Sequence, residues 1–418
     1  MWYDLIEQQR QWWRTWDAAA RFARGLWPGV ATACYADLVE PLLDLHAGPP
    51  RFAIDSIALD GRRVDVDETI VAHTPFCSLR RFARAGAPRM ILLCVPLAGH
   101  AAVMMRETVE TLLADGDVCI TDWIDARDVP PDAGRFGLDE YVAMLDGFID
   151  TLLADARPLH VVAVCQATVP SLGALALRAQ RGAVPPGSLT LIGGPLDARI
   201  NPGALGMAAR SHSLAWCRAT LIDTVPPGFA GHGRQVFPAY LQRAEISLAY
   251  PQHYMTLVDR YRRAVTEGDA DALAQARHAL REYLTLLDMP AEYFLDTVDI
   301  VFQRTCLANG TWFVRGQRVD PAALRAIQLL TVEGTHDAVT GAGQTHAAQA
   351  MCSGLAPDAR QIVDVEDCDH YGLFTGERWR TVVHPALQAA FARAERGRRC
   401  ACACACACAA QRDVTSSS

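Results

Sequence analysis

Clusters of lysine and arginine are missing from this 418-residue chain, which carries a formal net charge of −8 and has an isoelectric point near 5.8. Nucleic-acid binding needs grouped cations that neutralise phosphates, so nucleic acid is excluded as a partner. A basic leader with an apolar core is missing too: Asp4 and Glu7 fall within the first turns, and no secretory signal is expected. The most apolar of the long uncharged runs, 159–177, is interrupted by Gln166, Pro170 and Gly173 and ends near Arg178. A buried strand plus helix explains it better than a membrane span, and no transmembrane segment is expected. Paired cysteine spacing is lacking. Nine of the 14 cysteines scatter through the body and five alternate with alanine from Cys400 to Cys408, which suits a reducing cytoplasm rather than a disulfide framework. Finally, G-x-S-x-G occurs nowhere, which argues against a serine nucleophile of the common hydrolase kind.

What is present is ordinary for a globular protein, at 51% hydrophobic and 21% charged residues, but long for a single compact core. One enlarged domain with an insertion, or two domains, is expected. The central feature is Leu159–Val164, a β-branched run suited to a buried parallel strand, followed by Cys165-Gln-Ala167 and an apolar helix start from Pro170 to Leu177. A strand-to-helix turn with a nucleophile at its apex is the nucleophile elbow of α/β-hydrolases. Here the apex is Cys165, and Ala163 and Ala167 stand where glycines usually relieve the crowding. A buried structural cysteine is the competing reading.

Residues 1–46 form a Trp-rich amphipathic region. Trp2, Leu5, Ile6, Trp12, Trp13, Trp16, Ala20, Ala23 and Trp27 make a helical stripe opposed by Glu7, Arg10, Gln11, Arg14 and Asp17. Such a stripe packs on its own protein or a partner subunit, or lies on a lipid or polymer surface. Residues 47–203 read as the first part of a core. A hairpin from Phe52 turns at Asp60-Gly61, and strands at Met90–Pro96, Asp117–Thr121, 159–164 and Leu189–Ile192 alternate with helices at about 102–113 and 138–153. Strands and helices at this spacing imply βαβ units and a doubly wound, mostly parallel sheet. From 204 to 325 the patterns are mainly helical (254–265, 270–286, 291–302) without convincing buried strands, as in an inserted cap. The α/β pattern resumes over 326–397, with strands at 326–332 and 361–365 and helices near 344–351 and 380–393. The tail 398–418 is of low complexity and reads as disordered.

An activated thiol needs a base and an acid, supplied in α/β-hydrolases in the chain order nucleophile, acid, His. Asp337 follows the strand ending at Val332, and His370 follows the strand ending at Val365, both at the C-terminal strand ends where α/β sites form. His336 and His100 are rivals for the base, and Asp367 and Asp369 for the acid. The oxyanion of the adduct needs preorganised donors, expected from the backbone N–H groups of Gln166 and Leu97. Gly99 would let the second loop lie close to substrate, and His100 would line the pocket. No metal is called for.

Several motifs then converge on one family: Leu97-Ala-Gly-His100, Val164-Cys-Gln-Ala-Thr-Val-Pro170, Gly193-Gly-Pro-Leu-Asp-Ala-Arg199, Gly231-His-Gly-Arg234, Leu287-Asp-Met-Pro-Ala-Glu-Tyr293 and His370-Tyr-Gly372. With Thr331-Val-Glu-Gly334 and Gly341-Ala-Gly-Gln344, they make the chain resemble the intracellular polyhydroxyalkanoate (polyhydroxybutyrate) depolymerases of bacteria from Met1 to about Arg393. The resemblance implies a cytoplasmic, granule-associated α/β-hydrolase with Cys165 as nucleophile, Asp337 as acid and His370 as base. Its partners would be storage polymer and 3-hydroxybutyrate oligomers. No cofactor is required, coenzyme A is a candidate acyl acceptor, and a homo-oligomer is left open. A polyhydroxyalkanoate synthase-like acyltransferase and a non-catalytic granule protein are the alternatives.

Overall fold

The computed structural model describes residues 2–9, 11–12, 15, 49–243 and 251–397. Nine strands build the main sheet: β1 Ser56–Leu59, β2 Arg62–His73, β3 Cys77–Arg84, β4 Met90–Cys94, β5 Asp117–Trp123, β6 Leu159–Val164 and β7 Ser188–Ile192, with two more after the cap. Within the cap lie the short β8 Asp223–Thr224, β9 Gln235–Phe237, β10 Met289–Pro290, β11 Phe313–Val314 and β12 Gln317–Arg318; then β13 Gln328–Gly334 and β14 Arg360–Val365 complete the sheet. The order is β1-β2-β3-β5-β4-β6-β7-β13-β14. From β5 to β14 every pair is parallel, and β1 to β3 join as an antiparallel meander on β5. This is the α/β-hydrolase fold.

The strand sequences follow from position in the sheet. All residues of β4, β6 and β7 are buried, because helices cover both faces there, and their runs are accordingly continuous and apolar. At the two margins, β2 and β14 mix buried, half-buried and exposed positions. The helix Leu138–Leu153 shows the same logic in its own period: Leu138, Tyr141, Val142, Leu145, Phe148, Ile149 and Leu152, the expected apolar positions, are all buried. Its first turn is closed by the Gly137 N–H donating to the Glu140 carboxylate at 2.7 Å.

Several expectations need correction. The hairpin strand starts at Ser56 rather than Phe52, since Ala53 at a φ of 50° breaks the extended run. The cap is not wholly helical: β8, β9 and β10 form a small antiparallel sheet, too short at two or three residues for any periodic signal. The helix expected from Gln344 begins at Ala347, because the Gly343, Thr345 and His346 amides donate to the Glu333 carboxylate instead. The last helix begins at Gly376 and passes through a π turn at Trp379–Val383, rather than starting at Arg380. At the N-terminus Tyr3 and Glu7 are buried, whereas Trp2, Leu5 and Trp12 of the expected tryptophan stripe are largely exposed. Tyr3 is held by its hydroxyl to Asp288 and its N–H to Asp223. Trp13, Trp16, Trp27 and the Cys/Ala tail lie outside the described residues.

Candidate active site

Strand β6 ends at Val164 in extended geometry, and Cys165 then takes a φ of 54°, a left-handed conformation rare for a residue with a Cβ. Such strain costs on the order of 1–3 kcal/mol and persists only where the surroundings enforce it. They do so here through the helix Thr168–Gln180, buried from Thr168 to Arg178, and through the Thr168 hydroxyl, which donates to the Cys165 carbonyl at 2.7 Å. The elbow lacks its usual glycines, and the fully buried Ala163 and Ala167 occupy their places. Space is made on the neighbouring chain instead, where Gly193-Gly194 follow β7. A Cβ on Gly194 would overlap the Thr168 side chain. Gly194→Ala is therefore expected to cost about 1–3 kcal/mol through overpacking, measured as a lower urea midpoint with an unchanged m-value.

Asp337 sits in the loop after β13 and His370 after β14, and the structure joins them: Nδ1 of His370 and Oδ2 of Asp337 are 2.7 Å apart, both side chains buried. The other carboxylate oxygen of Asp337 accepts the Val339 and Thr340 amides at 2.8 and 2.9 Å, which aims Oδ2 at the ring. The Thr340 hydroxyl ties this loop to the Gly193 carbonyl at 2.9 Å, linking acid loop and elbow neighbour. The Cys165 side chain lies near enough to the imidazole to act on it electrostatically. Burial disfavours charge on His370, but the Asp337 carboxylate and the Cys165 side chain outweigh it and hold the imidazole well above its usual range. The rivals are placed elsewhere. His336 is exposed, Asp367 pairs with Arg378 at 3.7 Å, and Asp369 is exposed and accepts the Gly372 amide.

The expected oxyanion donors follow the ends of two paired strands. β4 and β6 pair at Cys94 and Ala163, and Leu97 and Gln166 each stand three positions further on. The loop after β4 is pinned at Val95, whose N–H donates to the Thr121 hydroxyl and whose carbonyl accepts from Trp123 Nε1 and the Tyr141 hydroxyl. Pro96 has no N–H, so Leu97 supplies the next amide. At a φ of 97° Gly99 also packs against the cap, where a Cβ would overlap the Gln242 side-chain amide, so its bareness serves core–cap contact. His100 lies beside Tyr283 and Tyr371.

Sequence reasoning passed over Thr168, Thr340, Tyr283 and Tyr371, which act through contacts between distant segments; only the adjacency of Tyr371 to His370 signalled any of them. The Tyr293 ring from the cap is fully buried, and its hydroxyl is pushed above the ordinary phenol range by burial, with Cys165 among the contributing neighbours. One group among the described residues has metal-ligand spacing: Glu333, His346 and Asp364, with ligand-type atoms within 4.8 Å of one another. Its Glu333 carboxylate already accepts three loop amides, so the cluster reads as an anchor for the segment after Asp337. No described helix is long and apolar enough to cross a membrane.

Comparison with known proteins gives one family match: residues 193–395, spanning the cap and the acid and base loops, match the family described as PHB de-polymerase C-terminus. No curated protein matches the chain. Similar solved structures include the 2-hydroxy-6-oxo-6-phenylhexa-2,4-dienoate hydrolase of Rhodococcus sp. strain RHA1, at 14% identity and a TM-score of 0.41, covering 78% of this chain and 99% of that one. The monoacylglycerol lipase of Paleococcus ferrophilus is similar at 14% identity and a TM-score of 0.42, over 76% and 99% of the two chains. An alpha/beta hydrolase fold protein from Nakamurella multipartita has 14% identity and a TM-score of 0.41, over 82% and 98%.

Proposed function

We propose that this chain, whose residues 193–395 match the PHB de-polymerase C-terminus family, is an ester hydrolase that cleaves the ester bonds of poly-3-hydroxybutyrate and its oligomers through Cys165, His370 and Asp337. The observation that carries the reading is the His370 ring held by a buried Asp337 carboxylate near the Cys165 thiol at a strained elbow.

His370 takes the thiol proton and the thiolate attacks the ester carbonyl, with the amides of Gln166 and Leu97 receiving the negative charge. The imidazolium then gives its proton to the departing alkoxide, leaving an S-acyl Cys165. Acylation removes the thiolate that helped to raise the His370 pKa, so the imidazole becomes a better base for the second half. It withdraws a proton from the acceptor, which attacks the acyl carbon; the C–S bond breaks, and Cys165 departs as the thiolate while the acyl group leaves on the acceptor. With water as acceptor the product is 3-hydroxybutyrate. Coenzyme A in the same place would yield the 3-hydroxyacyl thioester. Synthase-like transfer would instead lengthen chains from a thioester donor.

Mass spectrometry after brief mixing with a short 3-hydroxybutyrate oligomer tests the reading. The expected result is a 3-hydroxybutyryl adduct confined to the peptide bearing Cys165, followed by release of free acid, or of thioester when coenzyme A is the acceptor. An unmodified Cys165 with the oligomer left intact would remove both the nucleophile and the substrate class.

A further inference from the structure

Two buried polar groups around Tyr371, the residue after His370, have no described partner at hydrogen-bond geometry, and both lie where the cap meets the core. His100 follows β4, and its two ring nitrogens are shut off from solvent with no hydrogen bond to any described residue. The Tyr283 hydroxyl, on the cap helix Ala270–Leu284, is likewise buried and has no described partner at hydrogen-bond geometry, although the Tyr371 side chain lies near enough to act on it. The two rings are 5.1 Å apart. The Tyr283 carbonyl lies near the imidazole and supports it electrostatically, but not at hydrogen-bond geometry. Tyr371 completes the group, with its ring 6.4 Å from His100, 6.0 Å from Tyr283 and 6.0 Å from the catalytic His370. His253, from the helix Pro251–Glu267, stacks on Tyr371 at 4.3 Å.

Several buried or partly buried histidines do hydrogen-bond. His160 engages Ser188 and Glu395, His346 engages Thr331 and Asp364, and His384 engages Asp115. A buried donor or acceptor left unmade costs about 1–3 kcal/mol, so two of them side by side around Tyr371 call for a ligand that satisfies them.

The reaction indicates which ligand. The departing alkoxide must lie at His370 to receive its proton, and the Tyr371 ring, 6.0 Å from His370, adjoins both His100 and Tyr283. We propose that His100 and Tyr283 form a leaving-side subsite, hydrogen-bonding the carbonyl oxygen of the 3-hydroxyacyl unit that follows the scissile ester. The subsite rests on the polyester-hydrolase reading above. Burial, with His253 adding to it, pushes the His100 pKa down to about 3, so the ring stays neutral, keeps an N–H to donate and does not compete with His370 for the proton. The rings of Tyr371 and His253 flank the same place.

The test compares a 3-hydroxybutyrate trimer, as free acid and as methyl ester, with 4-nitrophenyl butyrate, whose leaving group has no ester carbonyl of its own. His100→Phe and Tyr283→Phe keep the rings and delete the polar atoms. Each is expected to lower kcat/KM for both trimers about tenfold further than for the nitrophenyl ester, the equivalent of one hydrogen bond. A loss confined to the free acid would show recognition of the terminal carboxylate instead and overturn the inner-carbonyl assignment. Equal losses on all substrates, or no loss on any, would overturn the subsite. Trimer binding by calorimetry in a Cys165→Ala background gives a second readout, expected to weaken about tenfold with His100→Phe. Should the wild type cleave the nitrophenyl ester but no trimer, the polyester reading itself fails and the subsite falls with it.

Discussion

Cys165→Ala lowers kcat for ester cleavage by a factor on the order of 10⁴ or more and abolishes the acyl adduct, while the folded protein keeps its melting temperature. The size follows from losing the atom that forms the covalent bond. The acid, the base and the amides of Gln166 and Leu97 remain, but they have nothing to activate, and only residual rate from binding and oxyanion stabilisation survives. Stability is spared because the Cys165 side chain is small and only partly buried, and because alanine meets the same backbone strain at a φ of 54°. Cys165→Gly separates the two effects. It is equally inactive, yet glycine adopts this φ without strain, so the unfolding free energy rises by about 1 kcal/mol once the added freedom of the unfolded chain is set against the relief. Single-turnover kinetics and thermal melts of the two variants check both halves. Ester cleavage undiminished in Cys165→Ala would overturn the cysteine mechanism and leave Cys165 a structural residue at a strained turn.

Asp337→Asn lowers kcat by about 10³–10⁴ and moves the pH dependence, because the substitution removes both the charge that favours the imidazolium and the acceptor that orients Nδ1–H. In the wild type, burial opposes charge on His370, and Asp337 and Cys165 overcome it. The proton-donating form of the ring therefore persists well above ordinary imidazole values, and acylation declines only when the pH passes that raised value. In Asp337→Asn the descending limb moves to lower pH. Folding stability carries the same signature. An imidazolium favoured in the native state and ordinary in the unfolded chain stabilises the fold in full below about pH 6.5, and this contribution is lost as pH rises through the folded value. Wild-type stability accordingly declines over that window, and the variant shows a shallower decline. The pH–rate profile and urea titrations at a series of pH values measure the two effects. An unshifted profile with full activity would place the orienting acid elsewhere.

Both predictions depend on three loops meeting above one sheet, and those loops differ in how visibly they are written in the chain. The elbow was legible because it is local: a buried strand, one small turn and a helix leave a continuous apolar trace from Leu159 to Leu177, and the observed strand Leu159–Val164 coincides with the expected one. Asp337 and His370 were legible through order, each following a recognisable strand and arriving in the succession nucleophile, acid, base. The helix Leu138–Leu153 was legible through its period.

What lay beyond reach were contacts between segments remote in sequence. The relief of the elbow by Gly193-Gly194 rather than by flanking glycines, the packing of Gly99 against Gln242 and the outward turn of Trp2 and Trp12 depend on which surfaces approach each other. No local pattern encodes that. The same holds for His100: as a residue in the sequence it was a pocket histidine with no stated task, and only the cap helix bearing Tyr283, folded over the loop of His370, shows that its nitrogens are enclosed and unpaired. By itself, then, the sequence determined the layered α/β architecture and the strand ends at which Cys165, Asp337 and His370 stand, because periodicity and chain order are local properties. Tertiary structure alone decided how Asp337 is aimed, what accommodates the strained Cys165 and which buried polar atoms await a ligand, because each is a matter of distance and enclosure between parts that meet only on folding.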